Sequence, residues 1–285
     1  MYLAALMYFS LVFFMGDGAL AGYFLKKCYS RENIDKMENM WGRCCSMDKY
    51  DRLLVIGDIH GKWERFKSVY DKVGFNPEKD LIVFLGDYLD RGDAPVPVME
   101  WVMEHYEQKN MVFLRGNHEQ MFYDAFLEVQ RSDGHNAFLL NSSLAMWLSN
   151  GGQITYEEIR KTGRKDELIS NWLRLIAKLP LCTEMVVNDQ TYWFMHANCN
   201  PDLPLAAQDD VDLLWRRTLA ERPELHHGEQ IIVLGHTPVQ ALGYEAKPQW
   251  LQNGRLVLMD TGSYLEAGRI SCADLLSGEI YQSAV

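Results

Sequence analysis

Five short apolar runs in this chain stop abruptly at a glycine or at a side chain able to bind a cation. Leu53-Leu54-Val55-Ile56 leads into Gly57-Asp58-Ile59-His60-Gly61, and Leu81 to Leu85 into Gly86-Asp87. Met111 to Leu114 leads into Arg115-Gly116-Asn117-His118-Glu119, Thr191 to Met195 into His196, and Ile231 to Leu234 into Gly235-His236. Runs of this length and β-branched content read as buried strands. Between the first three lie segments with helical spacing: 62–73, with Trp63, Phe66, Val69, Tyr70 and Val73 on one face, and 97–106. The pattern predicts a β-α-β-α-β unit with parallel strands over 53–117. Asp58 and Asp87 are 29 residues apart, and Asp87 and Asn117 are 30 apart. Equal steps bring the same point of each unit, the carboxyl end of its strand, to one sheet edge, where open α/β sheets bind ligands.

The region 120–180 is mostly helical by pattern, with segments at 121–131, 141–150 and 167–178; strands return over 191–281, with 255–260 and 269–275 as further candidates. The chain has 285 residues, 48% hydrophobic and 24% charged. That excludes a disordered or collagen-like chain and a small disulfide scaffold. A formal charge of −11 is a poor match for duplex nucleic acid, whose affinity comes largely from neutralised phosphates. The six cysteines form no C-x-x-C pair, so reduced thiols in a reducing compartment are expected.

The expected organisation is a hydrophobic N-terminal segment and linker over 1–46, then one catalytic domain over 47–285. Residues 1–25 are nearly all apolar apart from Asp17 and are followed by Lys26, Lys27 and Arg31. Three readings stay open. The length suits a membrane anchor with the remainder cytoplasmic, although Asp17 near its middle is costly. Ala19-Leu20-Ala21 resembles a leader cleavage site, without a basic start. The third reading is an upstream extension of the reading frame, the working protein beginning near Met47.

Asp58, His60, Asp87, Asn117, His196 and His236 all stand at strand ends. One such residue is ordinarily a turn or capping residue; six on strands that share an edge point to a site. Carboxylate, amide and imidazole donors together suit first-row divalent metals. Six ligands exceed the needs of one open metal and fit two, with Asp87 of the middle unit as the bridge. Two such ions, ~3.5–4 Å apart, activate a water and clamp phosphoryl oxygens. Arg91, in the same tight loop as Asp87, offers a planar fork for two phosphate oxygens. His118 could protonate a departing oxygen, with Asp90 holding its other ring N–H.

The blocks Gly57-Asp58-Ile59-His60-Gly61, Gly86-Asp87-Tyr88-Leu89-Asp90-Arg91-Gly92 and Gly116-Asn117-His118-Glu119 resemble the signatures of phosphoprotein phosphatases within the calcineurin-like metallophosphoesterases. The likeness is greatest to the bacteriophage lambda protein phosphatase group and its bacterial serine/threonine phosphatase relatives. Trp147 to Gly152, Gly235-His236-Thr237-Pro238 and Asp260-Thr261-Gly262 look like the same group, and the resemblance covers about 48–277. It implies an α/β fold of two mixed β-sheets packed face to face and flanked by helices. It implies that Asp58, His60 and Asp87 hold one metal, and Asp87, Asn117, His196 and His236 the other. His118 with Asp90 would be the acid pair, Arg91 a phosphate ligand, and Arg217, the last residue of Trp215-Arg216-Arg217, another. Asn198 departs from the group, which usually has Asp there. His135, His226 and His227 match nothing and read as solvated or loop histidines.

The expected activity is metal-dependent hydrolysis of phosphomonoesters on Ser or Thr, with Tyr as an extension. Mn²⁺ is the foremost metal, Fe or Zn being alternatives. The partners are phosphorylated proteins or peptides, no nucleic acid, and a membrane only through residues 1–25; a monomer is expected. The rival enzyme is a symmetrical dinucleoside-tetraphosphate hydrolase. Glu119 favours the phosphatases, since those hydrolases tend to Asp there, and Trp147–Gly152 points the same way. A nuclease or cyclic-nucleotide relative usually carries a second histidine where Pro238 stands. An inactive binding module would ordinarily lack some of the ligands, and all are present.

Overall fold

The described residues of the computed structural model are 45–46, 50–131 and 142–284. Its strands are β1 (Cys45–Ser46), β2 (Arg52–Ile56), β3 (Asp80–Phe84), β4 (Met111–Phe113), β5 (Cys182–Val187), β6 (Gln190–Met195), β7 (Ile231–Leu234), β8 (Gln249–Leu251), β9 (Leu256–Leu258), β10 (Ser271–Asp274) and β11 (Ile280–Gln282). They form a six-stranded sheet, β1-β5-β6-β7-β9-β8, and a five-stranded sheet, β11-β10-β2-β3-β4. In the second, β2, β3 and β4 are parallel and β10 runs antiparallel to β2. In the first, β6, β7 and β9 are parallel, with β5 and β8 antiparallel to their neighbours. Both sheets are therefore mixed, as expected. β1 pairs with β5, so that sheet takes in two residues assigned above to the linker.

Alternation along β2 shows how the sheets stack. Leu53 and Val55 meet Phe194, Val233 and Val257 of the other sheet in one core. Leu54 and Ile56 point the opposite way, against helices. The outer face of the six-stranded sheet carries a third core, with Trp193, Ile232 and Leu256. Sheets covered on both faces need nearly continuous apolar strands, which is why the runs stood out in the sequence.

The helices are α1 (Trp63–Val73), α2 (Pro95–His105), α3 (Asn117–Arg131), α4 (Ser142–Trp147), α5 (Gln153–Lys161), α6 (Lys165–Ile176), α7 (Asp210–Trp215) and α8 (Thr218–Glu221). In α1, Phe66, Val69 and Val73 are the buried face, and Gly74 ends it in the left-handed conformation (φ 56°). α2 opens on Pro95, where a missing N–H costs nothing. α3 starts at Asn117 itself, earlier than the pattern predicts, so Asn117 and His118 belong to its first turn. Between α4 and α5 the backbone makes a π-turn over Leu148–Gly152, with Gly151 at φ 104°.

All the described residues belong to one compact unit. None of their helices is long and apolar enough to cross a membrane. Residues 1–25, on which the anchor, leader and extension readings bear, and His135 lie outside the described residues.

Candidate metal centre

The carboxyl ends of β2, β3, β6 and β7 and the start of α3 converge. Asp58, His60, Asp87, Asn117, His196 and His236 are all buried there. Among the described residues nine non-glycine residues have positive φ, and five of them are His60, Asp87, Asp90, Arg91 and His236. Such backbone is unfavourable for L-residues and persists where surrounding contacts enforce it. At Asp87 the enforcing group is Glu119. Its buried carboxylate accepts hydrogen bonds from the backbone N–H of Asp87 (2.8 Å), Tyr88 (2.8 Å), Leu89 (3.2 Å) and Gly116 (2.9 Å). One side chain thus ties the loop after β3 to the loop before α3. Gly116 has no alternative: a Cβ there would lie 2.2 Å from Asp87 Oδ1.

Asp87 is the centre of the cluster. Its Oδ2 lies 3.5 Å from His60 Nε2, and its Oδ1 lies 3.4 Å from His196 Nε2. The two oxygens thus face two different groups, as a bridging carboxylate must. Oδ1 also accepts the His118 backbone N–H (3.0 Å) at the amino end of α3, where negative charge is stabilised. Burial alone would raise the pKa of Asp87, but the four surrounding imidazoles, His196 foremost, bring it below the ordinary carboxylate range.

The second group tests whether a cation fits. His196 Nδ1–H donates to Leu85 O (2.9 Å), and His236 Nε2–H to Trp215 O (3.1 Å). Since a carbonyl can only accept, these bonds fix both tautomers and turn the other ring nitrogen, as a lone pair, inward. Both lone pairs face Asn117 Oδ1, each at 2.9 Å. An inward amide nitrogen would satisfy both imidazoles; the oxygen faces them instead. Acceptors converging without a proton between them repel unless a cation stands among them. Metal–ligand bonds of ~2.1 Å at right angles separate neighbouring donors by ~3 Å, which matches. His196 and His236 are held below the ordinary imidazole value by burial, His236 at about 3, so both lone pairs are free near neutral pH.

The first group is less uniform. His60 Nδ1–H donates to Leu89 O (3.0 Å), presenting Nε2, which accepts from Arg91 Nη1 (3.0 Å). Asp58 Oδ2 is 3.9 Å from His60 Nε2, and the Asp58 carboxylate also accepts the His236 backbone N–H (3.0 Å). Ligand atoms of His60, Asp87 and His118 lie within 4.8 Å of one another, as do those of Asp87, His196 and His236. Asp58 belongs to neither of these two tight sets and faces Asp260, whose Oδ2 is buried without a hydrogen-bond partner. Burial and repulsion by Asp260 and Asp87 raise Asp58, and burial and repulsion by Asp87 raise Asp260 to about 6.

Beside the cluster, His118 Nδ1–H donates to Asp90 Oδ2 (2.7 Å). Its Nε2 is buried without a partner and 4.0 Å from Asp87 Oδ2. Burial disfavours the charged ring, but Asp87 and the Asp90 hydrogen bond outweigh it and hold His118 above the ordinary imidazole value. Arg91 lies with its guanidinium 4.4 Å over the Tyr264 ring. Arg217 is exposed, and its charge helps to lower His236.

Several residues escaped the sequence reading. Glu119 was weighed only as a family mark, yet it faces backbone amides and not the open side of the site. Asp260 stood in a quoted block without a role. Tyr264 and Thr155 have no signal in the sequence. Asn198 accepts the Leu219 N–H (2.9 Å) and so supports α8; an amide oxygen does this as well as a carboxylate. His226 is a loop residue but buried, not solvated, and bonds Gln230 O (2.9 Å); His227 is exposed.

Two mixed sheets with a buried cluster of carboxylate and imidazole donors at their shared edge define a metallophosphoesterase. Residues 51–260 match the calcineurin-like phosphoesterase family, to which the chain belongs. It is 26% identical over 231 residues to the bis(5'-nucleosyl)-tetraphosphatase PrpE (asymmetrical) of Anoxybacillus flavithermus, covering 73% of this chain and 84% of that one. It is 29% identical over 190 residues to serine/threonine-protein phosphatase 1 of Salmonella typhimurium, covering 65% and 78%. Among solved structures, a protein provisionally described as a diadenosine tetraphosphatase superposes with a TM-score of 0.56 at 16% identity, covering 84% of this chain and 95% of that one. That last likeness concerns the fold alone.

Proposed function

We propose that this chain hydrolyses phosphomonoesters of serine or threonine in proteins. The observation that carries the reading is the buried His118–Asp90 pair, 2.7 Å apart, beside the Asp87-centred cluster. A phosphoanhydride expels a stable phosphate or nucleotide anion and needs little help. An alkoxide from serine is a far poorer leaving group and benefits most from a proton donor. A charged imidazole stabilised by Asp87 and Asp90 supplies one.

In this reading Asp58, His60 and Asp87 hold one divalent ion, and Asp87, Asn117, His196 and His236 hold a second. The mixed nitrogen and oxygen donors suit Mn²⁺, Fe or Zn, and Mn²⁺ is our choice. Bound there, the ions supply Lewis acidity and a water of lowered pKa. Arg91 orients phosphate oxygens with its planar fork, while the Tyr264 ring supports the guanidinium from behind. Arg217 contributes long-range positive charge at the rim. His118 gives its Nε2 proton to the leaving oxygen. Asp90 keeps the ring turned for that transfer.

The rival reading, cleavage of a dinucleoside tetraphosphate, is favoured by the tetraphosphatase relatives and has the same cluster. The full-length protein, stripped with chelator and reloaded with Mn²⁺, is assayed on a phosphoserine peptide and on diadenosine tetraphosphate. A higher kcat/KM on the peptide is expected. A higher value on the dinucleotide would overturn the protein-phosphatase reading and leave the metal centre standing.

A further inference from the structure

The Asp90 carboxylate is held by more than His118. Trp147 Nε1–H donates to its Oδ2 (2.9 Å), with Oδ1 3.2 Å away. The Thr155 hydroxyl donates to Oδ1 (2.6 Å), and Thr155 Oγ1 accepts the Asp90 backbone N–H (3.1 Å). All four residues are fully buried. The two neutral donors come from a segment 57 and 65 residues further along the chain than Asp90.

The route by which they arrive is built for this contact. Trp147 ends α4 and packs edge-on against Phe122 and in contact with Phe126 of α3. The π-turn then brings Gly152 against the indole, where a Cβ would lie 2.4 Å from a ring carbon. Gly151 O accepts the Arg91 N–H (3.4 Å). Thr155 follows in the first turn of α5.

We propose that Trp147 and Thr155 are positioning residues for proton donation, and that the segment carrying them determines how poor a leaving group the enzyme can expel. The inference rests on the role given above to His118. A carboxylate held by one imidazole alone can swing about its own bond, and the ring swings with it. Held also by an indole N–H and a hydroxyl, it has one orientation, and the imidazole Nε2 is aimed where the leaving oxygen departs. In the step itself a water oxygen forms the new bond to phosphorus as the bond to the ester oxygen breaks. The ester oxygen takes the Nε2 proton, and a proton released from the attacking water restores His118.

The test uses leaving-group dependence, which a general loss of structure would not produce. Full-length protein loaded with Mn²⁺ is assayed on p-nitrophenyl phosphate, whose leaving group needs little protonation, and on a phosphoserine peptide. Trp147→Phe keeps an aromatic ring and removes the N–H; Thr155→Val keeps the shape and removes the hydroxyl; Thr155→Ser restores it. His118→Asn marks the full effect of losing the donor. On the peptide, kcat is expected to fall ~10–100-fold in Trp147→Phe and Thr155→Val, with KM little changed. On p-nitrophenyl phosphate the fall should stay within ~3-fold, and Thr155→Ser should recover the peptide rate. Equal losses on both substrates, or no recovery with serine, while His118→Asn shows the bias, would overturn the positioning role alone. No leaving-group bias in His118→Asn would overturn the acid pair and this inference together.

Discussion

The two sheets furnish the site in different ways. The five-stranded sheet supplies Asp58, His60, Asp87, Asp90, Arg91, Asn117 and His118 from three successive loops, four of these residues with positive φ, the second and third loops tied together by Glu119. The six-stranded sheet supplies two imidazoles, His196 and His236, each with one ring nitrogen tied to a carbonyl. The first half is a strained, charged frame; the second is a pair of oriented neutral donors. The difference teaches where the cost of the site lies. Buried like charges need backbone amides and cations around them, whereas neutral imidazoles need only a fixed tautomer.

Asp87 joins the halves, so its loss has the largest expected effect. Asp87→Asn should lower kcat/KM at least ~1,000-fold, the equivalent of several kcal/mol of charge stabilisation, with unchanged far-ultraviolet circular dichroism and fewer bound Mn²⁺ by elemental analysis. A variant with near-native turnover would remove Asp87 from the centre.

Glu119 tests the strain in the frame. Its carboxyl is pushed up to about 7 by burial and by Asp87, against an ordinary value of 4.5. Burial and Asp87 thus outweigh the backbone hydrogen bonds that favour the charged form. The contribution of Glu119 is complete below pH 4.5 and is lost as pH rises through about 7. Over that window the chelated wild-type protein should lose ~3 kcal/mol of stability that Glu119→Gln does not lose. Denaturant titrations at several pH values read the two slopes. Identical slopes would show that Glu119 carries no such load.

Glycines give a finer comparison of the halves. A Cβ at Gly116 would meet both Asp87 Oδ1 (2.2 Å) and Asp87 N (2.4 Å), whereas one at Gly235 would meet Asp58 Oδ1 (2.4 Å) with the next atom at 3.5 Å. Backbone cannot step aside as a carboxylate oxygen can. Gly116→Ala should therefore cost ~3 kcal/mol and Gly235→Ala ~1 kcal/mol, measured by thermal unfolding in chelator. The smallest effect belongs to Arg217→Ala. Its exposed side chain acts through solvent, so a rise in KM of ~3-fold or less, with kcat nearly unchanged, is expected.

The frame half is legible in the sequence. A parallel β-α unit has a nearly constant length, so equal spacing of Asp58, Asp87 and Asn117 reports a shared edge. Besides β1, the strands that escaped were β5, β8 and β11. β5 alternates half-buried and buried residues, and the other two are three residues each, so none forms a continuous apolar run. His196 and His236 were visible as ends of such runs, but their partition between two ions came from family resemblance. The clamp on Asp90 was not legible, because Trp147 and Thr155 reach it through a helix pair and a π-turn whose path no local pattern encodes.

What the chain's order of residues determined alone is the set of strands buried on both faces, the spacing that aligns their ends, and the donor types placed there. These follow from local periodicity and from the fixed length of the β-α unit. Tertiary structure decided which lone pairs face one another, which carboxylate anchors backbone amides and which faces imidazoles on both sides, and which distant donors hold Asp90 and His118. Those depend on backbone conformations and tautomers that only the packed neighbours, tens to hundreds of residues away, can enforce.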